Sequence, residues 1–350
     1  MTTGARSFGR RPEMYAVTFV TVIGLFTAFF SLTGHGLWGD EVWSASWSQQ
    51  QAWPQTFSRF LSPPDLPLNF LLVQLSTTFG QSEFWVRLPS ALLGAATCPV
   101  LFLLGRTVYG AATGVCAAVL LAVAPYHVWY AQDARPYAPL ALYAVLSLYF
   151  FVRLLQRPSV GSAIGFMVVT TLDMYNHLFG VFPLIVELVV VIPWAVVRGT
   201  QIRRGPLSPV DPPQGPKVSR RKLALSRERE QHRQWTTYRF TLAALGGATA
   251  AALLACLPLY SGIAQYIENA GPSEVPQPAF VMTPRFVTDL FAAFGSGTWW
   301  PFWLLAILFG LAVAADLRQR RWFVALGLAW LAIPLALVAL ARPHHLVGPR

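Results

Sequence analysis

Charged side chains are scarce in this sequence. Asp, Glu, Lys and Arg make up 12% of the 350 residues, whereas 55% are hydrophobic and 14% are aromatic. The mean hydropathy is +0.48. A soluble domain carries about 25% charged residues, so this chain has too little polar surface to coat a water-soluble globule. The composition excludes soluble enzymes and disordered chains, and it indicates an integral membrane protein.

The common catalytic and metal-binding motifs are also missing. The sequence contains no P-loop lysine motif, no GxSxG, no HExxH and no CxxC pair. The three cysteines, Cys98, Cys116 and Cys256, lie in apolar runs without the spacing of metal ligands. ATP-driven pumping, serine hydrolysis and zinc proteolysis therefore have no support, and we expect no cofactor.

Long apolar runs dominate the sequence and predict an all-α polytopic membrane protein. A membrane-spanning helix needs about 20 mostly apolar residues. Segment 66–80 is shorter and contains several polar residues, so we expect it to lie along the membrane surface. The nine predicted spans are 14–33, 88–105, 111–129, 137–152, 160–176, 178–197, 240–259, 299–315 and 322–341.

The basic residues predict how these spans are oriented. The net charge is +11, from 26 Lys and Arg residues against 15 Asp and Glu residues. Nine spans with a cytoplasmic N-terminus place most of the basic residues on the cytoplasmic side, as the positive-inside rule requires, and place loop 34–87 wholly outside. The charge therefore predicts the orientation of a multi-pass membrane protein, and not a nucleic-acid partner. We expect this protein in the plasma membrane, in contact with lipids.

Composition divides the chain into three parts. Residues 1–197 are predicted to form a membrane module. Its outer loop 34–87 is rich in Trp, a residue that favours membrane interfaces, so we expect juxtamembrane helices there. Residues 198–239 are basic and rich in Pro, and are predicted to be a cytoplasmic linker that is disordered or forms a short surface helix. Residues 240–350 are predicted to be C-terminal transmembrane helices.

Asp40 and Glu41 follow the first predicted span directly, at the outer interface. A carboxylate beside a low-dielectric surface gains proton affinity and can act as a general base. The alternative is structural, because Asp40 is also a suitable residue to cap the start of a helix. From the residues alone, both interpretations of this pair stay open.

Two arginines at the outer ends of spans oppose the positive-inside trend. Arg87 and Arg135 are placed to receive a lipid-borne phosphate, or alternatively to extend toward lipid headgroups. Asp133 precedes Arg135 and either takes part in the chemistry or forms an interfacial ion pair with it. Tyr175 and His177 end the span 160–176, where they are functional candidates or parts of a helix cap.

Several of these segments occur in the same order as in a known family. The order is an Asp-Glu pair after the first span, an RLPSALLG helix, an AQDARPYA loop and a YNHLFG helix end. With these elements, residues 14–190 resemble the C-type (GT-C) glycosyltransferases, and most closely the bacterial branch similar to protein O-mannosyltransferases and lipid A aminoarabinose transferases. The family commonly reads YSQEARPY where this chain reads YAQDARPY. Relatives usually run longer, so a truncated chain and a natural end at Arg350 both stay open.

The resemblance implies a glycosyltransferase that moves a sugar from a polyprenyl-phosphate donor to an acceptor hydroxyl at the extracytoplasmic face, with inversion. Asp40 stands at the position of the family's catalytic base, with Glu41 and Asp133 as further catalytic residues. The implied substrate-binding residues are Arg87, Arg135, Tyr137, Tyr175 and His177. The acceptor is a glycan, a lipid or a protein. A divalent metal at Asp40, Glu41 and Asp133 ranks below metal-free base catalysis.

Two other functions stay open. A transporter or lipid flippase also carries acids and His at membrane depth, although this sequence shows no internal repeat of the kind such carriers have. An inactive GT-C-like subunit is the second alternative. It is favoured by residues 65–70, where DLPLNF replaces the family's His-Pro-Pro-Leu-Tyr-Tyr element.

Overall fold

The computed structural model describes residues 10–50, 67–205 and 220–260, and all regular structure in these ranges is helical. The predicted all-α fold class is confirmed. The helices are α1 (Arg10–Phe29), α2 (Gly39–Gln50), α3 (Pro67–Thr77), α4 (Glu83–Tyr109), α5 (Ala111–Ala122), α6 (Pro125–Ala131), α7 (Tyr137–Gln156), α8 (Val160–Asn176), α9 (Val181–Arg204) and α10 (Arg220–Ala255), with a 3₁₀ turn at Leu178–Gly180 before α9.

Five segments within the described ranges are long and apolar enough to cross a membrane. They are Pro12–Phe29, Glu83–Tyr109, Tyr137–Gln156, Leu178–Arg204 and Leu225–Ala255. The chain is therefore a multi-pass membrane protein. The predicted spans 299–315 and 322–341 lie outside the described residues, so the total of nine stays a prediction.

The predicted span 111–129 is wrong as a single helix. The chain bends by 65° between α5 and α6, and Ala124 at the break is extended, with φ −68° and ψ 121°. The reason is Pro125. A proline disfavours the helical conformation of the residue before it and donates no backbone hydrogen bond, but it fits the first turn of a new helix.

Two short helices match the predicted segments. Helix α3 covers most of segment 66–80, and at 1.5 Å per residue its 11 residues extend only about 17 Å, too short to cross a bilayer of about 30 Å. Helix α8 has the predicted bounds 160–176, but with 17 residues it is shorter than each of the five segments named above.

The 198–239 segment is helical at both ends. Helix α9 continues to Arg204, and α10 begins at Arg220 and runs without a break into the apolar part of the chain. The structure thus contains much more helix here than the disorder or short surface helix expected from the Pro-rich and charged composition. The Pro-rich residues 206–219 lie outside the described residues, and the division into three parts stays a prediction.

Helix α4 is the centre of the fold and packs against α1, α5 and α7. A close approach between α4 and α6 brings the residues that follow α6 over the start of α4. At Gly94 of α4, a Cβ atom would lie 2.6 Å from the Cβ of Ala131 at the end of α6, which is too close for any side chain larger than hydrogen. His127 of α6 also contacts the Gly94 carbonyl, with 3.2 Å between Nε2 and O.

The two ends of this bundle differ in their polar contacts. At one end, Glu13 near the start of α1 pairs with Arg106 near the end of α4 at 2.7 Å, and both side chains are partly exposed. At the other end, four segments converge: 32–41 after α1, 83–90 at the start of α4, 132–137 between α6 and α7, and 173–180 at the end of α8.

A candidate active site at one end of the helix bundle

A fully buried ion pair joins Glu41 of α2 to Arg87 of α4. Arg87 Nε donates to Glu41 Oε1 at 2.7 Å, and Nη2 donates to Oε2 at 2.6 Å. Neither side chain has measurable exposure to solvent. The parallel pair of bonds is the bidentate geometry in which guanidinium and carboxylate bind most strongly.

The remaining donors of Arg87 hold the chain between α1 and α2. Nη1 donates to the carbonyls of Leu32 and His35 at 2.8 and 3.0 Å, and Nη2 contacts the Gly36 carbonyl at 3.1 Å and His35 Nδ1 at 3.0 Å. An arginine has five N–H groups, and all five therefore have partners within the protein. Arg87 fixes the path by which the chain reaches Asp40.

Glu41 also receives two backbone hydrogen bonds. The amide of Trp38 donates to Oε2 at 3.3 Å, and the amide of Ala134 donates to Oε1 at 3.1 Å. The first is half of a capping box, in which the third residue of a helix satisfies the N-cap amide. Trp38 is thus the N-cap of α2, and Asp40 lies within the first turn, so the interpretation of Asp40 as the cap is wrong.

Asp40 and Arg135 are two partly exposed charged groups at this end. Asp40 Oδ2 lies 3.8 Å from Arg135 Nη2, and each side chain is 25% exposed. The guanidinium carbon of Arg135 also lies 5.9 Å from the ring centre of Tyr137. The fold therefore presents a carboxylate and a guanidinium side by side, above the buried pair of Glu41 and Arg87.

Asp133 is buried next to this pair and is only 3% exposed. Trp38 Nε1 donates to Asp133 Oδ1 at 3.3 Å, while Oδ2 has no hydrogen-bond partner among the described residues. Burial, together with the negative charge of Glu41, raises the pKa of Asp133 to about 6, and the Trp38 bond and Arg135 oppose this only in part. With a pKa of about 6, Asp133 changes its protonation state within the pH range found in and around cells.

His177 follows the last residue of α8 and faces Tyr137, with ring centres 5.5 Å apart. Its Nδ1 accepts the amide of Phe179 at 3.0 Å, so the neutral ring carries its proton on Nε2. Burial and the positive charge of Arg135 lower the pKa of His177 to about 4. His177 is thus a neutral donor at physiological pH.

The sequence-predicted residues come together with one exception. Asp40, Glu41, Arg87, Asp133, Arg135, Tyr137 and His177 form one connected cluster. Tyr175 instead donates its hydroxyl to the Ala255 carbonyl of α10 at 2.9 Å. Side chains that the sequence did not single out also belong to the cluster, notably Trp38 and, beneath residues 134–136, Asn69 and Ser90.

No group of three or more His, Cys, Asp or Glu side chains among the described residues is arranged to hold a metal ion. Of the three carboxylates considered for a metal, Glu41 has both oxygens engaged by Arg87 and backbone amides. The arrangement supports proton transfer and anion binding by side chains. That the reaction proceeds without a metal ion stays a prediction.

Comparison with known proteins identifies the same part of the chain. The sequence profile of dolichyl-phosphate-mannose-protein mannosyltransferases matches residues 63–203, which include Arg87, Asp133, Arg135 and His177, while Asp40 and Glu41 precede the match. We found no match among curated proteins. The match supports the resemblance seen in the sequence: residues 63–203 of this chain are similar to the dolichyl-phosphate-mannose-protein mannosyltransferase family.

Proposed function

We propose that this membrane glycosyltransferase moves a hexosyl or pentosyl group from a polyprenyl-phosphate donor to an acceptor hydroxyl at the extracytoplasmic face of the plasma membrane. The observation that carries the proposal is the pair of Asp40 and Arg135, 3.8 Å apart and both partly exposed. A proton acceptor and a cation at this spacing are the two groups that transfer from a phosphate carrier requires.

Asp40 is the general base of the proposed reaction. It removes the proton of the acceptor hydroxyl as the acceptor oxygen bonds to the anomeric carbon. The bond from that carbon to the phosphate oxygen breaks in the same displacement, and the polyprenyl phosphate leaves with the electron pair. A single displacement inverts the anomeric centre. A positioned base contributes about 10²–10⁴-fold to such a step.

Arg135 neutralises the phosphate that leaves. From the sequence, Arg87 was expected to share this task, but its five N–H groups are bound within the protein. We assign Arg87 and Glu41 instead to positioning, because together they fix the segments that carry Asp40 and Ala134. Arg135 is thus the cation that contacts the donor.

The remaining residues orient the substrate. His177 is neutral and holds its proton on Nε2, so it donates to an oxygen of the sugar or phosphate. Tyr137 lies between His177 and the guanidinium of Arg135 and supports both. Asp133 anchors the indole of Trp38, the residue that caps α2, and so keeps Asp40 in place.

A transfer assay tests the proposal. The full chain is reconstituted in vesicles with a radiolabelled polyprenyl-phosphate sugar and a panel of glycan, lipid and protein acceptors, and the product's anomeric configuration is determined. Asp40→Asn should lower turnover about 10²–10⁴-fold. The matched control is Glu13→Gln, which neutralises a partly exposed acid at the opposite end of the bundle and should leave turnover unchanged. Turnover of Asp40→Asn at the wild-type rate contradicts the assignment of the base.

A carrier function is favoured by one observation, the two acids inside the bundle. Asp173 of α8 and Glu187 of α9 are each 1% exposed, and ionisable groups at membrane depth often mark transport pathways. The same vesicles distinguish the functions, since a carrier moves the labelled lipid or another solute across the membrane without forming a glycosylated product. An inactive subunit does neither.

A further inference from the structure

Three consecutive backbone carbonyls next to the proposed site each accept a hydrogen bond from a side chain of a different helix. Asn69 Nδ2 of α3 donates to the Ala134 carbonyl at 3.5 Å, and Ser90 Oγ of α4 donates to the Arg135 carbonyl at 3.3 Å. Asn176 Nδ2 of α8 donates to the Pro136 carbonyl at 2.8 Å. We refer to these three side chains as the carbonyl clamp.

The clamp acts on a segment that lacks regular structure. Residues 132–136 connect α6 to α7, and a buried backbone carbonyl outside a helix needs a donor from elsewhere. No backbone amide among the described residues donates to the carbonyls of Ala134 and Arg135, whereas the carbonyl of Pro136, the N-cap of α7, also accepts the amide of Leu140 at 3.0 Å. Asn69, Ser90 and Asn176 are each at most 3% exposed, so water does not compete for their donors. On the opposite side of the same segment, the amide of Ala134 donates to Glu41.

The side chain of Arg135 has no such hydrogen-bonded support among the described residues, and its ring contact with Tyr137 is a loose one at 5.9 Å. Its Nε is buried without a hydrogen-bond partner among the described residues, and its contact with Asp40 is a partly exposed pair at 3.8 Å. Exposed ion pairs at such distances hold side chains in place only weakly. The orientation of the Arg135 guanidinium therefore depends on the backbone from which it extends, and that backbone is held by the clamp.

We infer that Asn69, Ser90 and Asn176 are positioning residues that hold residues 134–136 so that Arg135 faces the donor phosphate beside Asp40. The inference rests on the proposed function, because it assigns the clamp to donor binding. Of the three residues, Asn176 contributes most to the position of this segment, because its hydrogen bond is the shortest and because it directly precedes His177. Loosening it displaces the two groups that are proposed to contact the phosphate.

The inference makes a specific kinetic prediction. Asn176→Asp keeps the size of the side chain but replaces its two N–H donors with an acceptor, and Ser90→Ala removes a single hydroxyl. In the reconstituted full chain, the double variant should raise KM for the polyprenyl-phosphate sugar by about 10- to 10²-fold, the loss of affinity expected when a charged hydrogen bond to the phosphate is no longer made. KM for the acceptor should stay within about twofold of wild type.

A matched control separates positioning from general damage to the fold. Ser147→Ala removes an equally buried hydroxyl, one that donates to Glu187 inside the bundle, and it should leave donor KM unchanged. A merely structural role of the clamp would lower kcat and the melting temperature with both KM values unchanged, and that result overturns the inference. A wild-type chain that transfers no sugar contradicts the proposed function and the inference with it, whereas wild-type transfer with an unchanged donor KM in the variant contradicts the inference alone.

Discussion

Two buried carboxylates of this protein have opposite surroundings. Glu41, at the end of the bundle, accepts four hydrogen bonds, two of them from the equally buried Arg87. Glu187, in the interior, accepts only the hydroxyl of Ser147 among the described residues. Its neighbour Asp173 is just as buried, and neither of its oxygens has a hydrogen-bond partner there.

The difference indicates what each region does. A buried charge is stable only when a counter-charge and further hydrogen bonds compensate for its lost hydration. The Glu41 region meets this requirement and has one well-defined arrangement, which is what Asp40 beside it needs in its proposed role as the base. The interior region does not meet it with the described residues, so its carboxyl groups contribute less to defining the fold.

The largest expected effect comes from breaking the pair at the end of the bundle. Arg87→Met leaves Glu41 buried without its counter-charge and frees the carbonyls of Leu32 and Gly36, so the free energy of unfolding should fall by about 3–5 kcal/mol. Equilibrium unfolding of the full chain in detergent measures it. The matched control is Arg106→Met, which removes a partly exposed ion pair with Glu13 and should cost at most about 1 kcal/mol. Equal losses in the two variants contradict the special role of Arg87.

The same pair shows how far sequence reasoning reaches. The apolar runs were enough to predict the helical membrane fold and the approximate place of most long helices, although α10 begins at Arg220, well before the predicted span 240–259. The order of the motifs was enough to predict that Asp40, Asp133 and Arg135 meet, because that order matches a family with such a site. A resemblance of this kind indicates which residues belong to a site. The contacts that each of these residues makes depend on how the helices pack.

The hydrogen-bond and ion-pair partners of the site residues could not be predicted, because the sequence does not show how the helices pack. Arg87 and Arg135 look alike in the sequence, since both are arginines at the predicted outer end of a span. They differ because Arg87 projects from α4 toward the buried carboxylate of Glu41, whereas Arg135 extends from an irregular segment toward the surface. Ser90 and Asn69 were missed likewise, because a single polar residue in an apolar helix does not indicate which carbonyl it meets.

The second expected effect is a pH dependence of stability that arises from Asp133. Unlike Glu41, Asp133 has one oxygen without a hydrogen-bond partner among the described residues. Burial raises the pKa of Asp133 from 3.8 to about 6, so between these values the folded chain binds more protons than the unfolded chain. Stability should therefore fall as pH rises from about 4 to 6 and stay lowered above 6. Two pKa units correspond to at most about 3 kcal/mol.

Asp133→Asn tests this effect. The amide keeps an oxygen for the Trp38 indole but cannot ionise, so the variant should lose the fall in stability between pH 4 and 6 and be more stable than wild type at pH 7. Unfolding of both proteins at several pH values measures the difference. A variant whose stability depends on pH as steeply as wild type assigns the titration to other groups.

The smallest expected effect lies in the interior and completes the comparison. Glu187→Gln keeps an oxygen that accepts the Ser147 hydroxyl and removes only an ionisable group that has no cationic partner among the described residues. The free energy of unfolding should therefore change by less than about 1 kcal/mol. The same change at Glu41 replaces an acceptor for Arg87 with an N–H donor and leaves the guanidinium charge buried without compensation, which should cost about 3 kcal/mol or more. Unfolding of both variants in detergent provides the contrast. If Glu187→Gln is the more damaging change, the interior carboxyl groups hold a compensating cation or partner, and the carrier function becomes the better account of this bundle.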